Sequence, residues 1–276
     1  MSDNDSRIVC ASRGQADPAL SVEAVRQPGQ LDALRHEWTA LHAGAPGVSP
    51  FVAWEWVGCW WNAFPRRGQM LNLLVRDETG GLAAIAPLMR VTRGWKGLGL
   101  REIRFASDYS DIGPADLDFI IAAGAAGPAL RQVLGCLCSD PWWDRLWLAR
   151  LRADSPNLQA LCDAAAECGL RIEIRQRLPA AYVALPDSLD KYLATLGTKT
   201  RDNVRRWQRR FTAQYGGQAK RCEDAAEVER VLACLMEFKV QRMRDKGQDT
   251  QFSRVSYRRF LSQACRSFAE RSPSSS

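Results

Sequence analysis

The hydrophobic pattern divides the chain into a part with mixed periods and a part with helical spacing alone. Residues 69–76 and 82–91 are apolar and rich in branched side chains, and the Asp-Glu-Thr-Gly-Gly segment at 77–81 between them predicts a hairpin. Residues 100–106 alternate apolar with charged side chains, which predicts another strand of the same sheet. These three segments predict an antiparallel meander.

Helices and further strands flank this meander. Residues 30–43 and 51–64 carry apolar side chains every three or four positions, which predicts two helices after a first strand at 20–26. Strands and helices then alternate downstream: strands are predicted at 117–121, 146–151, 170–175 and 182–185, and helices at 128–139 and 156–168. The order predicts a mixed α/β fold, with a mixed sheet flanked by helices.

From Ser188 onwards helical spacing dominates. Apolar residues predict a long helical stretch at 188–215, interrupted at Gly197, and further helices at 224–243 and 253–269. Residues 218–222 are the one segment of this part that could form a strand. The second part is therefore expected to be mainly helical.

Charge follows the same division. Residues 1–198 contain 20 Lys and Arg against 22 Asp and Glu, whereas residues 199–276 contain 18 against 9. The basic C-terminal part suits a phosphate-bearing or anionic partner, although a solvated helical surface gives the same count.

Composition leaves several common classes of enzyme unsupported. The chain has 276 residues, of which 46% are hydrophobic, and it can bury a large core. It has two histidines and contains no GxSxG elbow, GxxxxGK[ST] loop, HExxH motif or paired-cysteine zinc motif. Serine hydrolase, P-loop NTPase and zinc chemistry are therefore unsupported, and no metal is expected. Catalysis would rest on carboxylates, tyrosine, backbone amides or a bound co-substrate.

The cysteines and the hydropathy of the chain indicate its cellular compartment. The nine cysteines include no CxxC pair, which favours free thiols in a reducing environment. No apolar stretch reaches the roughly 18 residues that a membrane-spanning helix needs, and residues 1–15 are polar, unlike a signal peptide. We predict a cytoplasmic protein with no membrane span.

Four local motifs, in their order and spacing, resemble one family. They are the aromatic set Phe51, Trp56, Trp60, Trp61 and Phe64, the Ile-Ala-Pro-Leu at 85–88, the Ser-Asp-Tyr-Ser-Asp at 107–111, and the Leu-Gly-Thr-Lys-Thr-Arg-Asp-Asn-Val-Arg-Arg at 196–206. Together with the order of elements they resemble the GNAT acetyltransferase superfamily. The closer resemblance is to the CelD/BcsL-like branch, which is associated with cellulose biosynthesis and distantly similar to FemAB peptidyltransferases. It covers about residues 20–260.

The resemblance implies two lobes and an activity. A GNAT-like first lobe is expected at 20–178 and a partial, mainly helical second GNAT-like lobe at 179–270, between disordered tails at 1–19 and 271–276. It implies an N- or O-acyltransferase that uses acetyl-CoA or another acyl-CoA and acts on a polysaccharide-related or small polar acceptor. Because the second lobe of such proteins continues into strands that hold the acyl-CoA, the chain is expected to be truncated, with weak or absent binding and doubtful activity.

The residues expected to act catalytically are Asp108, Tyr109 and Asp111, which lie between two predicted strands. One aspartate would serve as base or substrate ligand and Tyr109 as a donor. The alternative is an ordinary loop built on Asx turns. The tryptophans at 54, 56, 60 and 61 have two interpretations as well, core packing or a stacking wall for a sugar ring.

Two segments are expected to meet the phosphates of acyl-CoA. Gly124 and Gly127 precede a predicted helix whose N-terminus could bind pyrophosphate, but Ile121 stands where such turns have Gln or Arg, so a tight helix entry is the alternative. The second segment is the basic helix, with Lys199, Arg201, Asn203, Arg205 and Arg206 as its candidate phosphate-binding residues.

The basic helix also allows other partners. It could be a solvated face, the anion-binding element of a non-catalytic accessory protein, or, least favoured, a nucleic-acid binder. Self-association is also expected, because a missing sheet would leave two apolar helix faces uncovered. These faces are Val228, Leu232 and Leu235, and Phe260, Leu261 and Phe268.

Overall fold

A computed structural model describes residues 19–95, 98–108, 114, 116–175, 183–217, 220, 222 and 224–271. Within them the strands are β1 Ser21–Val25, β2 Gln69–Arg76, β3 Leu82–Trp95, β4 Leu98–Phe105, β5 Ile120–Ile121 and β6 Arg145–Trp147. The helices are α1 Pro28–Ala33, α2 Arg35–Gly44, α3 Trp54–Ala63, α4 Ala126–Cys138, α5 Leu158–Glu167, α6 Leu189–Thr195, α7 Thr198–Tyr215, α8 Ala225–Arg244 and α9 Val255–Arg271.

These strands form one mixed sheet in the order β1-β2-β3-β4-β6, and β5 also pairs with β3. The first four are antiparallel neighbours, with register pairs such as Leu74 opposite Ile85 and Leu88 opposite Phe105. β6 joins the far edge in parallel with β4 after the crossover through α4. The predicted meander is confirmed, and residues 69–76 form a strand with the predicted bounds.

β4 and β5 lie on the same edge of β3, one after the other. Phe105 pairs with Leu88, the N–H of Ala106 donates to the carbonyl of Pro87, and Ile120 then pairs with Ile85. In this register a strand that ran without interruption would need one residue, opposite Ala86, between Ala106 and Ile120. Residues 107–119 are therefore an excursion inserted where β4 would otherwise continue along β3.

Helices flank the sheet. α4 contacts β1, β2 and β3, and α5 packs on α4, while α2 contacts β3 and β5 and packs with α1 and α3. Of the four tryptophans with two interpretations, Trp60 and Trp61 are buried in the core, and Trp54 and Trp56 are partly buried against it. The side chains of Trp38 and Trp54 donate to the carbonyls of Val52 and Leu31, which ties α1, α2 and α3 together. The fold is mixed α/β, as the sequence pattern predicts.

The chain forms two compact units, residues 1–172 with 224–276 and residues 173–223. The first contains the sheet together with α8 and α9, and the second contains α6 and α7. In the first unit α9 packs on α3 and α8, and Phe260 is fully buried between the rings of Trp56, Phe64 and Tyr257. The lobe boundaries drawn from the resemblance stay a prediction, as does the second lobe.

Several predicted details are wrong. The helix at 30–43 is two helices that meet at Leu34, and the helix at 51–64 begins as a 3-10 turn at Pro50–Val52 before α3. Residues 170–175 form no strand, and Ile172 and Ile174 are exposed. Residues 183–185 form none either, and Tyr182 lies outside the described residues.

Two other expectations are partly answered. Most of the possible strand at 218–222 lies outside the described residues. Phe260 is covered rather than free, so that part of the predicted apolar face is wrong. Of the predicted face on α8, Leu235 is exposed, and Val228 and Leu232 are partly buried. No helix in the described part of the chain is long and apolar enough to span a membrane.

We expect Phe260→Ala to lower the free energy of unfolding by about 3–5 kcal/mol, because it opens a cavity among three aromatic rings. Val255→Ala on the same helix removes a side chain that is 81% exposed, and it should change the free energy of unfolding by about 0.5 kcal/mol at most. Urea unfolding of the two variants measures both values. Equal effects would show that α9 is not packed on α3.

Candidate functional site

A cluster of arginines and carboxylates lies where β4 and β6 pair. Glu102 on β4 is fully buried, and one of its oxygens accepts from Nε of Arg104 at 2.8 Å. Its other oxygen accepts from Nε of Arg145, its register partner on β6, at 2.9 Å. The guanidinium groups of Arg104 and Arg145 also lie over the ring of Trp147. A buried carboxylate with two charged donors therefore connects the two parallel strands.

Asp108 extends this cluster beyond the end of β4. It is 4% exposed, and its two oxygens face Nη1 of Arg104 at 3.3 Å and Nε of Arg150 at 3.4 Å. Burial raises the pKa of the Asp108 carboxyl, and the charges of Arg104 and Arg150 act in the opposite direction. Nη1 of Arg150 also donates to the carbonyl of Pro114 at 2.8 Å. Asp108 thus ties the start of the excursion to the segment that follows β6.

Backbone strain is concentrated beside Asp108. Among the described residues, the non-glycine residues with positive φ are Ser107 at 66° and Arg150 at 67°. Ser107 precedes Asp108 in the chain and accepts a hydrogen bond from Nε1 of Trp56 at 3.2 Å. Arg150 is the ion-pair partner of Asp108. Each such conformation costs on the order of 1–3 kcal/mol and persists where the surrounding contacts impose it. Strain of this kind often accompanies functional sites, which supports this loop as the candidate.

A second buried carboxylate anchors the return of the excursion. Asp118 accepts hydrogen bonds from the hydroxyl of Ser155 at 2.5 Å and from the side-chain amide of Asn157 at 3.0 Å. Burial raises the pKa of Asp118, whereas these hydrogen bonds act to lower it. Because its partners come from the segment before α5, Asp118 fixes the position from which β5 starts.

The structure brings some predicted site residues together and leaves others apart. Asp108 lies in the ion-pair cluster, while Tyr109 and Asp111 lie outside the described residues. Gly124 and Gly127 precede and open α4 in the first unit. The five basic-helix residues lie on α7 in the second unit, where Arg206 donates to the side chain of Asn203. No group of three or more potential metal ligands occurs among the residues described.

The N-terminus of α4 fits the phosphates of an acyl-CoA in part. Gly124 has a φ of 80°, which favours glycine, and the N-cap is Ala125, which has no polar side chain to occupy the first N–H groups of the helix. A Cβ placed on Gly127 would lie 3.7 Å from Nη1 of Arg131, so a cation stands beside this turn. Pro128, however, removes one first-turn donor.

The region beyond the parallel pair fits the pantetheine arm less well. In the GNAT arrangement two parallel strands separate so that exposed backbone groups can receive this arm. Here the N–H of Leu117 donates to the carbonyl of Arg150 at 3.1 Å, and Leu117 and Phe119 are buried. The excursion therefore occupies backbone groups that the arm would use, and an acyl-CoA could lie there only if this hydrogen bond opened.

Sequence reasoning missed most of the cluster. Glu102 and Arg104 alternate with Ile103 and Phe105, a pattern typical of a strand with one solvated face, yet both faces are buried. No local sequence motif marks Arg145 or Arg150. The one available signal was the pairing of opposite charges in two strands, and the register that joins Glu102 to Arg145 is set by residues far apart in the chain.

Comparison with known proteins gives distant similarities of fold. No family model matches the chain, and no curated protein matches it. The chain is similar in structure to the aminoglycoside 6'-N-acetyltransferase AAC(6')-Ih from Acinetobacter baumannii, at 12% identity and a TM-score of 0.32. The match covers 60% of this chain and 99% of that one.

Two further solved structures show the same level of similarity. A mutant of the BH1408 protein from Bacillus halodurans matches at 11% identity and a TM-score of 0.34, over 58% of this chain and 99% of that one. The integron cassette protein VCH_CASS6 from the mobile metagenome of V. cholerae matches at 13% identity and a TM-score of 0.31, over 64% and 99%. Similarity at this level concerns the arrangement of the chain and identifies no substrate.

Glu102→Gln should lower the free energy of unfolding at neutral pH by about 3–5 kcal/mol, because it leaves two guanidinium groups without their buried charge. Glu173→Gln removes an exposed partner of Arg175 and should leave the free energy of unfolding nearly unchanged. Denaturant unfolding at pH 7 compares the two variants with the parent protein.

The same variant tests the sign of a pH dependence. Burial acts to raise the pKa of Glu102, but hydrogen bonds from Arg145 and Arg104 outweigh it and hold the pKa below its ordinary value. The unfolded state therefore binds more protons, and the stability that Glu102 supplies should be lost as the pH falls below about 4. The parent protein and Glu102→Gln should converge in that range. A constant difference between them down to pH 2 would contradict this assignment.

Proposed function

We propose that the sheet-containing unit is a GNAT-like acyltransferase lobe that uses acetyl-CoA or another acyl-CoA. The observation that supports this proposal is the strand order. Four antiparallel strands, with helices inserted after the first, are followed by a strand-helix crossover into β6, which pairs in parallel with β4. This is the first part of the layout that the sequence resemblance implies, without the strand expected at 170–175, and the excursion at 107–119 interrupts β4 next to the end of the parallel pair.

The α4 N-terminus is the proposed phosphate-binding element. Its backbone N–H groups and helix dipole favour an anion, and Arg131 adds a guanidinium that can donate two hydrogen bonds to a phosphate. Arg131 is 3.9 Å from Glu167 and partly exposed, so it can turn toward a ligand without leaving a buried carboxylate unpaired. Gly127 allows a phosphate to approach because it places no side chain over this turn.

The excursion is the proposed acceptor-binding element. In acyl transfer the amine or hydroxyl of the acceptor attacks the thioester carbonyl, a C–N or C–O bond forms as the C–S bond breaks, the CoA thiolate leaves, and a base takes the acceptor's proton. Both oxygens of Asp108 face arginines, so we assign it to positioning the loop. Tyr109 and Asp111, which follow Asp108 in the sequence, are the proposed donor and base toward a polysaccharide-related or small polar acceptor.

The alternative is a non-catalytic accessory protein that binds an anionic partner through α7. The observation that favours it is the charge of this helix, six Lys and Arg with one Asp, on side chains that are mostly exposed. Acyl-CoA binding at α4 separates the two functions, because an accessory protein of this kind needs no such site. A cytoplasmic location and a role in exopolysaccharide synthesis stay predictions.

Gly127→Glu should abolish acetyl-CoA binding, because it adds a carboxylate where we place the phosphates. The same change should not weaken the fold: the new side chain meets only the flexible end of Arg131, and a carboxylate in the first turn of a helix is favoured by its dipole. Isothermal calorimetry with acetyl-CoA, together with thermal unfolding, measures both effects.

The matched control is Gly127→Gln, which has the same size without the charge. We expect it to retain most of the binding, so that the difference between Glu and Gln reports charge alone. Because the Leu117–Arg150 hydrogen bond must open, the affinity of the parent protein is expected to be weak. Saturable binding that is unchanged in Gly127→Glu would remove α4 from the site, and no heat at millimolar acetyl-CoA with a folded parent protein would overturn the proposal.

A further inference from the structure

α7 is a long amphipathic helix with an exposed aromatic stripe. Trp207, Phe211 and Tyr215 are spaced four residues apart, so they lie on one face of the helix, and they are 62%, 52% and 68% exposed. Val204 lies on the same face by its spacing, and no residue of α7 is buried. The helix ends at Gly216, whose left-handed conformation has a φ of 58°. Its apolar face is therefore turned toward solvent along three turns.

The opposite face of α7 is basic. At 3.6 residues per turn, Arg205, Arg206 and Arg209 lie on the side away from the aromatic stripe, and Lys199, Arg201 and Arg210 lie along its two borders. Within the described residues none of these six forms an ion pair. Three of the arginines hydrogen bond to neutral side chains of the same helix, namely Thr198, Asn203 and Gln214. With Asp202 as the single carboxylate of the helix, the net charge is +5.

We propose that α7 binds the surface of a membrane that contains anionic lipids. The helix would lie in the plane of the interface, with Trp207, Phe211 and Tyr215 at the boundary between headgroups and acyl chains and the cations among the phosphates and carboxylates of the lipids. Trp and Tyr suit this depth because each combines an apolar ring with a polar group. The inference rests on α7 alone and does not depend on the acyltransferase proposal.

The separation of the two faces distinguishes a membrane from other anionic partners. A free phosphate or an acyl-CoA would be bound by the cations and would leave the aromatic stripe exposed to water. Single-stranded nucleic acid is bound where aromatic rings lie beside the cations, so that bases stack while phosphates are neutralised. On α7 the rings form one continuous apolar stripe that no cation interrupts, with cations along its borders and on the far side, and a surface that is anionic outside and apolar beneath satisfies both at once.

The test is sedimentation of the full chain with vesicles. Vesicles of phosphatidylcholine with 30 mol% phosphatidylglycerol are compared with vesicles of phosphatidylcholine alone, each at low and high salt. We expect the protein to bind the anionic vesicles at least tenfold more tightly than the neutral vesicles. This binding should weaken as salt is added, because each cation near the surface contributes a screened attraction.

Two variants of α7 and two of α8 identify the element. Trp207→Ala and the double charge reversal Arg205→Glu with Arg209→Glu should each lower the partition coefficient, the charge reversal by about tenfold or more. The matched controls are Phe238→Ala, an exposed aromatic on α8, and Lys239→Glu with Arg242→Glu, which changes the net charge by the same amount. These controls should bind as the parent protein does, and circular dichroism verifies that every variant is folded.

Three results would overturn the proposal. In the first, the folded parent protein does not bind the anionic vesicles. In the second, the α7 and α8 charge variants lose vesicle binding equally. In the third, Trp207→Ala leaves vesicle binding unchanged and a mixed-sequence DNA competes for the protein. The last result would assign α7 to nucleic acid. Failure at this step leaves acetyl-CoA binding at Gly127 unaffected, so the two proposals fail independently.

Discussion

One buried carboxylate, Glu102, ties the parallel edge strand to the rest of the sheet. β6 is three residues long and is the parallel strand at the edge of an otherwise antiparallel meander, so its backbone pairing with β4 is limited. Glu102 strengthens this pairing, because its two oxygens accept from Arg104 on its own strand and from Arg145 on β6. A carboxylate buried without those donors would cost several kcal/mol. The parallel pair, and with it the edge where the candidate site lies, therefore requires all three charges together.

The excursion at 107–119 follows from the same arrangement. β6 is held beside the second half of β4, and just beyond it the chain leaves the sheet at Ser107 and comes back to β3 at Ile120. Its departure is fixed by Asp108 through Arg104 and Arg150, and its return by Asp118 through Ser155 and Asn157. The two ends of the segment are thus held at defined places, Asp108 beyond the end of β4 and Asp118 before β5. The same anchors bring Leu117 against Arg150, and this contact makes the site less open than the resemblance implies.

The sequence predicts those features that depend on neighbouring residues. The hairpin, the strand at 69–76 and the start of helical spacing at Ser188 and Asp224, whose side chains cap α6 and α8, all follow from local patterns. The failures depend on distant partners. Ile172 and Ile174 alternate as they would in a strand, but no strand pairs with them in the described chain, and they are exposed. The burial of Glu102 depends on a register with residues 43 positions away, and periodicity does not encode such a register.

A comparison of α9 with α7 shows why an amphipathic pattern alone does not identify what covers a helix. Both have an aromatic face and a basic face. On α9 Phe260 is buried among three rings, and Arg266 and Arg271 pair with Glu229 and Glu55 of the same compact unit. On α7 both the rings and the cations are without such partners among the described residues. When a helix packs into its own protein, carboxylates on the neighbouring elements tend to neutralise its cations as its apolar face is covered. Charges left unpaired beside an exposed aromatic stripe therefore indicate that the complement of both faces is supplied from outside the described chain.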